Sequence, residues 1–153
     1  MKKPLKNKIL NIVGIIVAVA LVLFALIQLI PYGRNHANPP VVQEPQWDSP
    51  QTRTLAVRAC YDCHSNEVVW PWYSNVAPIS WLVQRDVDKG RVVLNFSEWS
   101  GATTPRGMTA FGVAGMVLNG RMPPSIYLPL HPSAKLTAAE KQQLAQGLKN
   151  SLH

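Results

Sequence analysis

Residues 60–64 read Cys60-Tyr61-Asp62-Cys63-His64, two cysteines three positions apart with a histidine directly after the second. On one turn of helix, positions i, i+3 and i+4 share a face. The sulfurs of Cys60 and Cys63 can then reach the two vinyl groups of one porphyrin, and His64 can present an imidazole nitrogen to the iron. CxxCH is the spacing used for covalent haem attachment. Three other uses of the pair compete. A redox disulfide of thioredoxin type needs a βαβ setting, and no such pattern surrounds the motif. A structural zinc site needs about four ligands, and His36, His131 and His153 lack finger-type pairing. A plain structural disulfide leaves the adjacent histidine without a role.

The wider chain agrees with a haem protein outside the cytoplasm. It has 153 residues, enough for one ordinary domain and an appendage. Its only two cysteines both lie in the motif, so no disulfide framework remains once haem is attached. The formal charge of +7 is concentrated at the start, in Lys2, Lys3, Lys6 and Lys8. From Pro31 onward, eleven Lys/Arg face eight Asp/Glu. No basic stripe with interleaved aromatics is left, which argues against a nucleic-acid partner.

Residues 9–30, ILNIVGIIVAVALVLFALIQLI, carry no charge. About 20 apolar residues cross a bilayer as a helix, so this stretch is expected to be a single-pass anchor in contact with membrane lipid. A cleaved secretory signal is the competing assignment, but the apolar run is longer than a typical signal core and no small-x-small site closes it. The lysines of residues 1–8 should remain cytoplasmic. The rest of the chain then lies on the periplasmic side of a bacterial inner membrane, where an unattached CxxC would tend to oxidise.

Residues 31–50 contain Pro31, Pro39, Pro40, Pro45 and Pro50 and no helical periodicity. They predict a semi-rigid linker reaching ~60 Å if extended, with packing through Trp47 as the alternative. Residues 51–153 predict a small helical domain. Ser49-Pro50 is a helix start, and that helix should bring Leu55, Ala56 and Ala59 onto one side and run into the haem motif. A second helix is expected from Ile79 to Lys89, ended by Gly90. Val92–Phe96 is β-prone but too brief for a sheet. Thr104-Pro105 predicts a third helix, to about Asn119, closed by Gly120 and weakened by Gly107, Gly112 and Gly115, glycines that would let a backbone or the porphyrin approach closely. Thr137-Ala138-Ala139-Glu140 is a capping box; Leu144 and Leu148 give its helix an apolar stripe, and Gly147 suits a close crossing.

Beyond His64, a haem iron has one further axial position. Met122 is the first candidate, because Gly120-Arg121-Met122-Pro123-Pro124 follows a helix stop and is stiffened by two prolines. His131 is the alternative. Met116 falls mid-helix, where core filling is the default, and Met108 is less constrained. An open position is the remaining case. Trp70, Trp72, Trp81 and Trp99 are available as walls, and Arg58, Arg85, Arg91 and Arg121 as partners for propionates.

The stretches CYDCHSN, PWYSNVAPISW, DVDKGRVVLNFSEW, MPPSIY and HPSAKLT, spread over residues 55–140, resemble the bacterial haem-binding domain family, which is similar in pattern to class I c-type cytochromes. The resemblance implies one covalent haem c, with Cys60 and Cys63 as thioether anchors, His64 as proximal ligand and Met122 at the distal methionine–proline position. The stretch TAFGVAGMVLNG, residues 109–120, is more apolar and glycine-rich than that pattern. The expected protein is mostly α: a transmembrane helix plus a small cytochrome-c-like domain. It would pass single electrons between membrane or periplasmic redox proteins. A haem-based redox or gas sensor and a peroxidase-like enzyme using His131 are the alternatives.

Overall fold

The computed structural model describes residues 3–101 and 106–152; the Thr104-Pro105 signal and His153 lie outside them. The described chain is mostly helical and contains no strand. It forms two compact units. The first comprises the residues up to Asn35 together with Pro71–Gln84, and the second comprises His36–Trp70 and the chain from Arg85 onward.

In the first unit, α1 (Lys3–Ile27) contains the apolar stretch. Its Lys6–Ile27 portion has 22 residues and contains an 18-residue window of mean hydropathy 3.0 in which no residue is buried. At 1.5 Å per residue, 22 residues span about 33 Å, long enough for a hydrocarbon core of ~30 Å. The helix stops at Ile27 rather than at Ile30, and residues 28–30 continue as tight i→i−3 turns. Pro31 accounts for the stop, because it has no N–H to donate to the Ile27 carbonyl four residues back. The Gln28 side-chain amide donates to the carbonyl of Ala77 (3.0 Å), and its Oε1 accepts from the Ala77 N–H (3.0 Å). Buried Gly33, at φ +78°, packs on the Ser80 carbonyl, where a side chain would collide. A 3-10 turn at Trp72–Asn75 precedes α4 (Ile79–Val93), whose first residues belong to this unit.

In the second unit, α2 (Pro50–Ala59) begins as expected, with Ser49 Oγ accepting from the Thr52 N–H at 3.2 Å. It is followed by α3 (Tyr61–His64), α5 (Ala110–Leu118) and α6 (Ala138–Ser151). The capping box closes in both directions: Thr137 Oγ1 accepts from the Glu140 N–H at 3.2 Å, and Glu140 Oε2 accepts from the Thr137 N–H at 2.7 Å. Gly147 lies against Thr52, with no space for a methyl group, so α6 crosses α2 closely, as its sequence suggested. Leu144 and Leu148 are fully buried, in a core with Leu55, Tyr61, Phe96, Trp99, Val113 and Val117.

Four features depart from the sequence expectations. Residues 36–50 are not a freestanding stalk. Trp47 packs on Phe96 with ring centres 5.3 Å apart. Val42 and Gln43 donate to the Ser97 carbonyl, and Trp99 donates back to Gln43. Glu44 collects Arg53, Trp47 and Tyr61. The peptide groups of Val42, Gln43 and Asp48 find partners in the folded chain instead of water. Second, the compact units do not divide at residue 50, because 71–84 belongs with α1. Third, Gly90 does not end its helix; α4 runs on to Val93, taking up the first half of the β-prone run. Fourth, α5 starts at Ala110 with Thr109 as its cap, since Gly107 has φ +74° and cannot continue a right-handed helix.

Candidate functional site

The Cys60–His64 motif is a hinge between two helices rather than the tail of one. Cys60 leaves helical geometry (φ −128°, ψ −33°), serving at once as the C-cap of α2 and the N-cap of α3. Its N–H still bonds to Ala56, and its carbonyl accepts from Cys63 (3.1 Å) and His64 (2.9 Å). The turn is seated by Tyr61, which is 2% exposed and stacks on Phe96. Both thiols are free. Burial, followed by the neighbouring Cys63, pushes the Cys60 thiol up to about 12. Burial, followed by Asp86 and Asp62, pushes Cys63 up to about 11. Both shifts favour the protonated thiol at neutral pH.

His64 is positioned by α4. Its Nδ1 lies 3.0 Å from the Gly90 carbonyl and 3.1 Å from the Leu94 carbonyl. Carbonyls only accept, so Nδ1 carries the proton and the neutral ring keeps its lone pair on Nε2. Burial lowers the His64 pKa against the opposing pull of these two carbonyls, which favours that neutral form. Gly90 is what lets α4 come so near: a methyl group there would collide with the Cys63 carbonyl. Its place inside a continuing apolar pattern, with Val92 and Val93 beyond, was the available signal for close approach rather than termination.

The other candidates fall as follows. Met122 is half-buried. It follows the α5 stop, where Gly120 has φ +66° and the N–H groups of Arg121 and Met122 both donate to the Met116 carbonyl. The segment carrying Met122 is tied to the CxxCH turn by Tyr127, whose hydroxyl donates to Asp62 Oδ2, while Asp62 Oδ1 accepts from the Val69 N–H. Asp62 and Tyr127 fall within the quoted stretches CYDCHSN and MPPSIY, but nothing in their spacing marked them as partners. The His131 ring stacks on Tyr127 at 3.7 Å between centres, and its Nδ1 lies 3.0 Å from the Tyr127 carbonyl. Met108 packs on the core. Trp70 stacks on His36 and Trp99 is buried, whereas Trp72 and Trp81 belong to the first unit. Arg91 donates to Ser65 and Asn38. The α5 face that was unusually apolar divides: Val113 and Val117 are buried, while Phe111 is exposed beneath Lys149.

These residues fit a haem. Two free thiols and an imidazole with Nε2 available share one turn. Arg58 Nε and Trp70 Nε1, either side of it in sequence, are buried donors without a protein partner. Among the described residues, no three His, Cys, Asp or Glu side chains form a metal cluster of their own.

Such a turn defines a haem-binding protein, and sequence comparison agrees. The family model for the haem-binding domain matches residues 22–150. The chain belongs to that family. No curated protein and no solved structure matches it.

Proposed function

We propose that this is a membrane-anchored monohaem c-type cytochrome that carries single electrons. Cys60 and Cys63 hold the haem as thioethers, His64 is its proximal ligand and Met122 its distal one. The observation that carries this is the double commitment of His64 Nδ1 to the Gly90 and Leu94 carbonyls beside two free thiols. When bound, the haem supplies a ferric/ferrous couple. The carbonyls orient the imidazole and increase its basicity. The Met122 thioether, stiffened by Pro123 and Pro124, raises the potential, as suits an electron carrier. Arg58 Nε and Trp70 Nε1 are the donors offered to propionates. The α1 helix anchors the protein in the inner membrane, with the haem domain in the periplasm, where membrane or periplasmic redox proteins are its partners. A distal acid–base role for His131 is disfavoured, because its ring face and Nδ1 are both engaged by Tyr127.

Optical and EPR spectroscopy of the purified holoprotein tests this. The expected result is pigment that resists acid–acetone extraction, a six-coordinate ferric iron and a far-red methionine–iron band that Met122→Ala abolishes. Pigment freed by acid–acetone overturns the covalent attachment. A ferrous form of the unsubstituted protein that binds carbon monoxide readily overturns the closed distal site.

A further inference from the structure

We propose that residues 71–84 form a lipid-binding collar that lies in the headgroup–acyl boundary around the end of α1. This rests on the membrane-anchor reading and extends it from a single helix to a folded foot.

Three observations converge. The first is position. Gln28 directly follows the Lys6–Ile27 span, and its side-chain amide donates to the Ala77 carbonyl and accepts from the Ala77 N–H. Gly33, five residues on, packs directly on the Ser80 carbonyl. The segment 71–84 is thereby held at the level where α1 leaves hydrocarbon. The second is exposure. Trp72 is 80% exposed, Leu82 54% and Ile79 46%, and Leu29 of the same unit is 78% exposed. Ile79 and Leu82 are three residues apart on α4 and share one face. Four large apolar side chains exposed within one small unit exceed the single scattered residues of an ordinary surface. The third is composition. PWYSNVAPISWLVQ contains no charged residue, and it carries Trp72, Tyr73 and Trp81. Tryptophan and tyrosine concentrate where one end of a side chain meets lipid and the other meets water. Continuity with the span selects the bilayer as occupant, ahead of a second copy of the chain or a separate protein.

The test uses the full holoprotein in phosphatidylcholine/phosphatidylglycerol vesicles. A benzophenone amino acid is placed singly at positions 22, 72, 79 and 82, and adducts are identified by mass spectrometry after irradiation. Lipid adducts at all four positions are expected. Lipid adducts at 22, with only protein adducts or none at 72, 79 and 82, overturn the collar and leave the anchor standing. No lipid adduct at 22 removes the anchor, and the collar with it. Hydroxyl-radical footprinting of the unsubstituted protein in the same vesicles is the second measurement. After correction for intrinsic reactivity, Trp72 should oxidise several-fold more slowly than the comparably exposed Phe111. Equal rates overturn the proposal.

Discussion

Gly90 and Cys63 meet backbone to backbone: the α-carbon of one lies against the carbonyl of the other, so closely that no side chain fits between them. The same approach brings the Gly90 carbonyl within 3.0 Å of His64 Nδ1. One glycine thus controls both the packing of the cysteine turn and the orientation of its histidine. Gly90→Ala should push α4 away from the turn and lower stability by about 1–3 kcal/mol, the usual cost of overpacking. Denaturant unfolding measures the loss, and a holoprotein with an altered ferric spectrum should accompany it. A wild-type midpoint would show that α4 does not rest on Cys63.

Tyr127 and Asp62 join the segment bearing Met122 to the residue between the two cysteines. A hydrogen bond to a carboxylate contributes about 1.5–3 kcal/mol. Tyr127→Phe should therefore loosen residues 121–131, seen as faster amide hydrogen exchange there and faster carbon monoxide binding to the ferrous protein. Asp62→Asn keeps an acceptor oxygen and should lie between Tyr127→Phe and wild type. Unchanged exchange in Tyr127→Phe would mean that the loop is held by other contacts.

Glu140 connects the α6 cap to α2. The Thr137 N–H it accepts from, then Arg58 Nη2 at 2.6 Å, hold its carboxyl down at about 2, against an ordinary value of 4.5. A depressed carboxylate stabilises the fold above its unfolded pKa and loses that contribution as pH falls through the folded one. Stability should decline between pH 4.5 and about 2, and Glu140→Gln should flatten that part of the profile while lowering stability at pH 7. Thermal unfolding across this range checks it. An unchanged acid limb in the variant would assign the decline to other carboxylates.

Gly147 lies beneath Thr52 where α6 crosses α2, without room for a methyl group. Gly147→Ala gains helix propensity of about 1 kcal/mol but must separate the helices, so the net effect should be destabilising. Urea unfolding decides the sign. A more stable variant would mean that the crossing relaxes at little cost.

Much of this protein was legible residue by residue. The CxxCH turn, the apolar span, the Ser49 cap and the Thr137–Glu140 box each depend on side chains within a few positions of one another, and local chemistry is the same in any fold. The proline-rich run was misleading because prolines report only that no helix or sheet forms there. They do not say whether the remaining peptide groups bond to water or to Ser97 and Trp99.

What local pattern determined alone, then, was where α2, α4 and α6 begin, which residues offer sulfur and imidazole, and which stretch suits a bilayer. Tertiary structure decided that Gly90 lies within a helix and supports His64, that Tyr127 reaches Asp62 and that residues 71–84 fold onto the end of α1. These contacts join residues 26, 65 and 49 positions apart. Propensity and periodicity act over a turn or two, so contacts at such separations are set only when the packed chain brings the partners together.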